Sequence, residues 1–251
     1  MSDVSKRRAP SLPHAVGRAA FQAELDKLLV QEKALTRAAD AIAAARRRLP
    51  MVEMDPAIPL IGPEGPVTLL KVFEGRRLLM AYFHMWHAGQ PASGQCEGCT
   101  FNNSQVRELA YLHSRDVTYA TFCEGPYAES IRYHDFLELD APWYSAQASA
   151  DALLAGRDFG MLVCYLRDGD RVFETYWTTG RGNEVMGSSL LMLDRTVYGR
   201  QEPWEDSPEG WPQPFGEGEP MSHQFTLNGR PIAQWPHLAA GRSDDLGNAK
   251  R

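Results

Sequence analysis

Cysteine is scarce: the four in 251 residues are too few for the cross-linking that holds small secreted domains together, so a hydrophobic core has to hold this chain. No run approaches the roughly 20 apolar residues that span a bilayer, and no apolar stretch of the export-signal kind follows Lys6, Arg7 and Arg8. Positive charge is not in excess either. The 26 Lys and Arg stand against 32 Asp and Glu, a net charge of −6, and no basic stripe alternates with aromatic residues. Neither nucleic acid nor a membrane is expected as a partner, and a cytoplasmic location is. Phosphate-loop, dinucleotide and nucleophile-elbow motifs are also missing. What is present is 43% hydrophobic content, enough for one core of roughly 150 residues with extensions.

Residues 1–20 read as a flexible arm. Over 21–50, Leu28, Leu35, Ile42 and Leu49 recur every seven residues, Arg46 to Arg48 sit where a helix C-terminus favours cations, and Pro50 stops the pattern. This predicts an amphipathic helix, suited to covering a core or to pairing in a homodimer. Residues 56–77, rich in Pro and Gly, read as a loop. The core domain is expected over 51–202. Leu78 to Phe83 is continuously apolar, as in a strand covered on both faces. A helix is predicted over Cys99–His113, a strand over Val117–Phe122, a helix over Tyr127–Leu139, strands over Met161–Leu166 and Arg171–Trp177 joined at Asp168-Gly169, and a helix over Gly182–Tyr198. Residues 203–251, with Trp204, Trp211, Trp235, Pro214 and many glycines, read as an extension that wraps the domain or a partner subunit, its tryptophans acting as anchors.

Cys96-Glu97-Gly98-Cys99 falls between the first strand and the first helix of this series. A βαβ unit followed by a ββα unit, with two thiols at the start of the first helix, is the thioredoxin arrangement. The fold class is therefore α/β, with a long N-terminal helix and an irregular C-terminal extension added. Free backbone N–H groups and the helix dipole lower the pKa of a thiol placed there. Cys96 is then the nucleophile and Cys99 the resolving thiol of an oxidoreductase acting on a small-molecule or protein thiol, a disulfide or a peroxide, with His84 or His87 assisting proton transfer.

The chain also resembles a known family. The residues concerned are Glu32 to Arg37, Arg46 to Pro50, Tyr82 with Met85-Trp86, Gly94 to Phe101, Asp116 to Thr118, Pro142-Trp143 and Tyr165 to Gly169. In these it is similar to the bacterial thioredoxin-like family called domain of unknown function 899, over about residues 20–205. The resemblance implies a thioredoxin-like fold and a cytoplasmic bacterial protein, and supplies no reaction. Ordinary thioredoxins differ in three respects. Here Gln95 rather than Trp precedes the pair, eleven residues separate His84 from Cys96, and Asp158-Phe159-Gly160-Met161 contains no proline where thioredoxins carry a cis one.

A second reading makes His84, His87, Cys96 and Cys99 a tetrahedral N2S2 set for copper or zinc, with a copper-dependent reaction or metal handling as the outcome. Strand positions 84 and 87 face opposite sides, so both histidines reach one ion only if the chain leaves strand geometry near Met85; with one histidine facing inward, His87 and the two thiols form a three-ligand open site closer to copper chemistry. Cys123 reads either as a third thiol of the site or as a buried free cysteine, and Cys164 as packing. Trp86, Phe101, Tyr127 and Trp143 fit a cleft wall or the core. His113 and His134 read as solvated, and His223 and His237 as too isolated to be ligands.

Overall fold

The computed structural model describes residues 11–212 and 224–246, and it divides the chain into two compact units, 1–50 with 193–218 and 51–192 with 219–251. Half of the expected arm, residues 1–10, lies outside the described residues, as do Pro214 and His223, and Arg18 to Ala20 already belong to the first helix. In the first unit, α1 (Arg18–Arg46) ends three residues before the predicted stop at Leu49, with Arg47 and Arg48 capping it through N–H bonds to Ala43 and Ala45. Its heptad leucines Leu28 and Leu35 are half-exposed or more. Arg200 closes a two-pronged ion pair on Asp194 at 2.7 and 2.8 Å in the same unit.

In the second unit the chain runs β1 (Val52–Met54), β2 (Pro59–Gly62), β3 (Gly65–Thr68), α2 (Leu69–Val72), β4 (Leu78–His84), α3 (Glu97–Gln105), α4 (Ala110–His113), β5 (Val117–Cys123), α5 (Tyr127–Phe136), β6 (Trp143–Ser145), α6 (Ala150–Leu154), β7 (Met161–Asp168), β8 (Arg171–Thr179), α7 (Ser188–Leu193), β9 (Thr226–Leu227), β10 (Arg230–Pro231) and α8 (Trp235–Ala239). The main sheet has the order β1-β8-β7-β4-β5-β6-β2-β3. Its centre is the expected arrangement. β4 and β5 run parallel from Leu78↔Val117 to His84↔Cys123, β7 lies antiparallel to β4, and β8 antiparallel to β7. The hairpin loop is Gly169-Asp170, one residue later than its predicted position, because Asp168 still pairs with Arg171.

Three elements differ from their sequence expectation. Residues 59–68 form the hairpin β2–β3 at the sheet's far edge rather than a loop. Pro59 opens one strand and Pro66 lies on the edge strand, the two places where a missing N–H costs no ladder bond. The helix predicted over Cys99–His113 is two pieces, broken at extended Val106, which packs with Leu109 and Leu112 beneath the sheet. The last predicted helix is likewise a 3₁₀ segment over Gly180–Met186 and then α7. They part at Gly187, where a Cβ would press on the Phe101 ring at 2.9 Å.

Alternation along β4 decides what meets the thiols. Leu79, Ala81 and Phe83 enter the core on one face with Phe73, Phe122 and Val163, while Tyr82 shares the other with Cys99, Tyr119, Leu162 and Met186. His84, two residues beyond Tyr82, falls on the α3 face as well.

Candidate active site

α3 starts at the pair itself. Cys96 is its N-cap, with non-helical φ −54° and ψ 116°, and the Cys96 Sγ accepts the N–H of Cys99 at 3.4 Å. Its carbonyl accepts the Thr100 N–H at 3.0 Å and the Thr100 hydroxyl at 2.7 Å, which fixes the first turn. Cys96 is half-buried and Cys99 fully buried. Hydrogen bonding from the Cys99 thiol, the N–H groups of Cys99 and Gly98, and the charge of His87 together outweigh burial and bring the Cys96 thiol down to about 6. Burial, together with the Cys96 sulfur, pushes Cys99 the other way. One sulfur is thus ionised at neutral pH and its neighbour holds a proton.

The long connection from β4 to α3 is stapled by Gln95, the residue that replaces tryptophan. Its Oε1 accepts the His87 N–H at 3.0 Å, and its Nε2 donates to the carbonyls of His87 at 3.0 Å and Gln90 at 3.1 Å. Glu124 accepts the Trp86 N–H at 3.0 Å, and Glu129 accepts the Trp86 indole N–H at 3.2 Å. The loop therefore returns on itself and keeps His87 beside the pair. His87 Nδ1 lies 2.8 Å from the Gly94 carbonyl. A carbonyl only accepts, so Nδ1 carries the proton and Nε2 is the basic atom.

His84 is placed differently. The Oδ1 of Asn103 accepts the hydroxyls of Tyr119 at 3.1 Å and Thr121 at 2.7 Å, and its Nδ2 donates to the Cys99 carbonyl at 3.3 Å. The amide orientation is thereby settled, and the same Nδ2 donates to Nδ1 of His84 at 2.8 Å. The neutral ring then carries its proton on Nε2, which has no hydrogen-bond partner among the described residues. Burial drives its pKa down to about 3, so it is neutral at working pH. His84 is therefore not suited to proton transfer.

The four-ligand metal set is not assembled. Among the described residues, no three His, Cys, Asp or Glu come together as ligands. His84 spends Nδ1 on Asn103 and packs against Trp143 with ring centroids 4.9 Å apart. His87 keeps a basic Nε2, yet it does not come together with the two thiols as a three-ligand group among the described residues. Copper or zinc therefore does not fit these residues as they stand. Cys123 is not a third thiol of the cleft: it is buried at the end of β5, accepts the Gly125 N–H at 3.4 Å, and is pushed up to about 12 by burial. Cys164 is half-buried within β7.

A cleft of about 410 Å³ opens beside the pair, lined by Met85, Cys96, Phe101, Phe159, Gly160 and Phe225 among others. Phe101 stacks on Phe225 with centroids 4.2 Å apart. Trp86 and Trp143 belong to the core with Tyr133, and Tyr127 packs on the same cluster, so only Phe101 of the four candidate aromatics walls the cleft. His134 is mostly buried rather than solvated, its Nε2 3.2 Å from the Ala141 carbonyl and its ring against Trp143. His237 lies 3.4 Å from Glu138.

Sequence reasoning missed the polar side chains that support the pair. The Tyr82 hydroxyl donates to Cys99 Sγ at 3.4 Å and receives the Asn102 Nδ2 at 2.9 Å. Thr100 and Tyr133 share a 2.6 Å hydroxyl contact, and the Nε2 of fully buried Gln234 donates at 2.7 Å to both the Tyr133 hydroxyl and the Ala92 carbonyl. Gln234 is thus a buried anchor of residues 224–246, beside Arg242 on Phe136 and Leu246 in the core, while Trp235 stays more than a third exposed. Two adjacent asparagines facing a helix's buried side were the one available signal.

Fold and site together define a class: a thioredoxin-type sheet carrying a Cys-x-x-Cys at the start of the helix that follows its first central strand. Within it, the chain belongs to the family described as "Bacterial protein of unknown function (DUF899)", whose model matches residues 10–214. No curated relative matches the chain. Several solved structures align with it, among them these two. One is the peroxidoxin BcpB from Mycobacterium tuberculosis, at 15% identity over 58% of this chain and 99% of that one, with a TM-score of 0.38. The other, from Chlorobium tepidum, is described as a thiol:disulfide interchange protein, DsbE, and aligns at 15% identity over 57% of this chain and 97% of that one, with a TM-score of 0.36.

Proposed function

We propose that this protein is a thiol redox protein, in which the Cys96 thiolate attacks a disulfide or peroxide sulfur or oxygen and Cys99 resolves the product as a Cys96–Cys99 disulfide. The observation that carries the reading is the placement of Cys96: at the N-cap of α3, open to the cleft, and lowered to about 6 by donors that converge on its sulfur. With a disulfide, the first step forms Cys96–S–S–R and expels a thiolate; the second expels R–S⁻ as the intramolecular bond closes. Cys99's proton goes to the first leaving group. In this reading His87, whose Nε2 is the basic atom of its ring, passes that proton.

Elemental analysis of protein purified without a metal-binding tag, run beside a thiol-exchange assay, tests the reading. Thiol exchange without stoichiometric copper or zinc is expected, abolished by Cys96→Ser and only slowed by His87→Ala. One metal per chain, lost together with activity in both variants, would overturn it in favour of a ligand site.

A further inference from the structure

Each step of the exchange needs a different sulfur ionised. Cys96 is provided for by the helix start, but Cys99 lies wholly buried and becomes a nucleophile only after Cys96 has reacted. Two donors converge on it, the Met85 N–H and the Tyr82 hydroxyl, each 3.4 Å from Sγ. A phenol has one proton to give, and here its direction is fixed: the Asn102 amide donates into the Tyr82 oxygen at 2.9 Å, which leaves the O–H to point at sulfur. All three side chains are buried or nearly so.

We propose that Tyr82, oriented by Asn102, is a catalytic residue of the resolving half-reaction, its hydroxyl holding the Cys99 sulfur as a thiolate while that sulfur attacks the Cys96 mixed disulfide. The inference rests on the thiol-exchange reading above. In the resting protein the donor faces a thiol, a weak acceptor, while Cys99 in turn donates to ionised Cys96. Once Cys96 is bonded to substrate sulfur its negative charge is gone, and burial is left as the obstacle to ionising Cys99, which the two donors offset. The Cys99 proton leaves with the first leaving group, as R′–SH, and the Tyr82 bond becomes charge-assisted. The Cys99 thiolate then forms the Cys96–Cys99 bond and expels R–S⁻, which balances charge and protons. A hydrogen bond that strengthens only as the reaction proceeds raises rate rather than affinity.

The test is the reaction of 5,5′-dithiobis(2-nitrobenzoate) with the reduced full chain carrying Cys164→Ser. Cys96 attack releases one nitrothiobenzoate and Cys99 resolution releases a second, so two phases report the two steps. In Tyr82→Phe the ratio of second-phase to first-phase rate is expected to fall about tenfold or more, the loss of one hydrogen bond to a charged group, with the second phase's pH midpoint moved upward. Asn102→Ala is expected to lower the same ratio about threefold, and it carries the test should Tyr82→Phe not fold. A ratio and midpoint unchanged in the folded variant would overturn the role of Tyr82 alone. Absence of the first phase from the parent protein would instead overturn the thiol-exchange reading beneath it.

Discussion

The Nδ2 of Asn103 donates to Nδ1 of His84 across 2.8 Å, inside a cluster that excludes solvent from both. The pairing commits His84 to a neutral ring, with the sign of its effect on stability set. In the unfolded chain a histidine takes up its proton near pH 6.5, whereas in the fold it does so only at about 3. Between these values the unfolded state binds more protons, so stability falls as pH falls. Unfolding free energies from urea titrations between pH 7 and pH 4 are expected to decline by up to about 1.4 kcal/mol per pH unit from this residue alone. His84→Gln is expected to flatten that slope, and an unaltered slope would place the acid sensitivity elsewhere.

Cys96 is expected to react with iodoacetamide as a thiolate at neutral pH. Its alkylation rate, followed by peptide mapping, should rise with pH through a midpoint near 6. Cys99→Ala removes the largest stabilising donor and should move the midpoint up toward the ordinary thiol range. Cys123, held up to about 12 by burial, should remain unlabelled in the native protein across the same range.

Gln234 ties residues 224–246 to the thiol helix region by two buried bonds of 2.7 Å. Gln234→Ala leaves the Ala92 carbonyl without this donor and opens a small void. A loss of about 1–3 kcal/mol is expected in urea unfolding. Because Phe225 belongs to the same segment and stacks on Phe101, limited proteolysis should also cut within this segment sooner in the variant.

Much of the fold was legible because its signals are local. The apolar run at 78–83, the second at 117–122 and the Gly169-centred turn each state their own structure, and the order in which they occur fixes the topology. The thiol pair was legible for the same reason, since two cysteines three apart ahead of a helix place themselves. What was hidden depends on contacts distant in sequence. Prolines at 59 and 66 disguised a hairpin whose edge position alone makes them tolerable. Glycine is required at 187 because Phe101 sits where a Cβ would go. The four-ligand metal set failed on a partner that spacing could not reveal: Asn103, which takes up Nδ1 of His84, lies nineteen residues from it. Tyr82 looked like any strand residue until Asn102 and Cys99 were folded against it.

The most direct measurement of the central claim is mass spectrometry of the reduced protein after one equivalent of a small disulfide. The parent chain should yield a Cys96–Cys99 bond, and Cys99→Ser should stop at a mixed disulfide on Cys96. A mixed disulfide carried instead by Cys99 or Cys164, or no bond between residues 96 and 99 in the parent, would contradict the account.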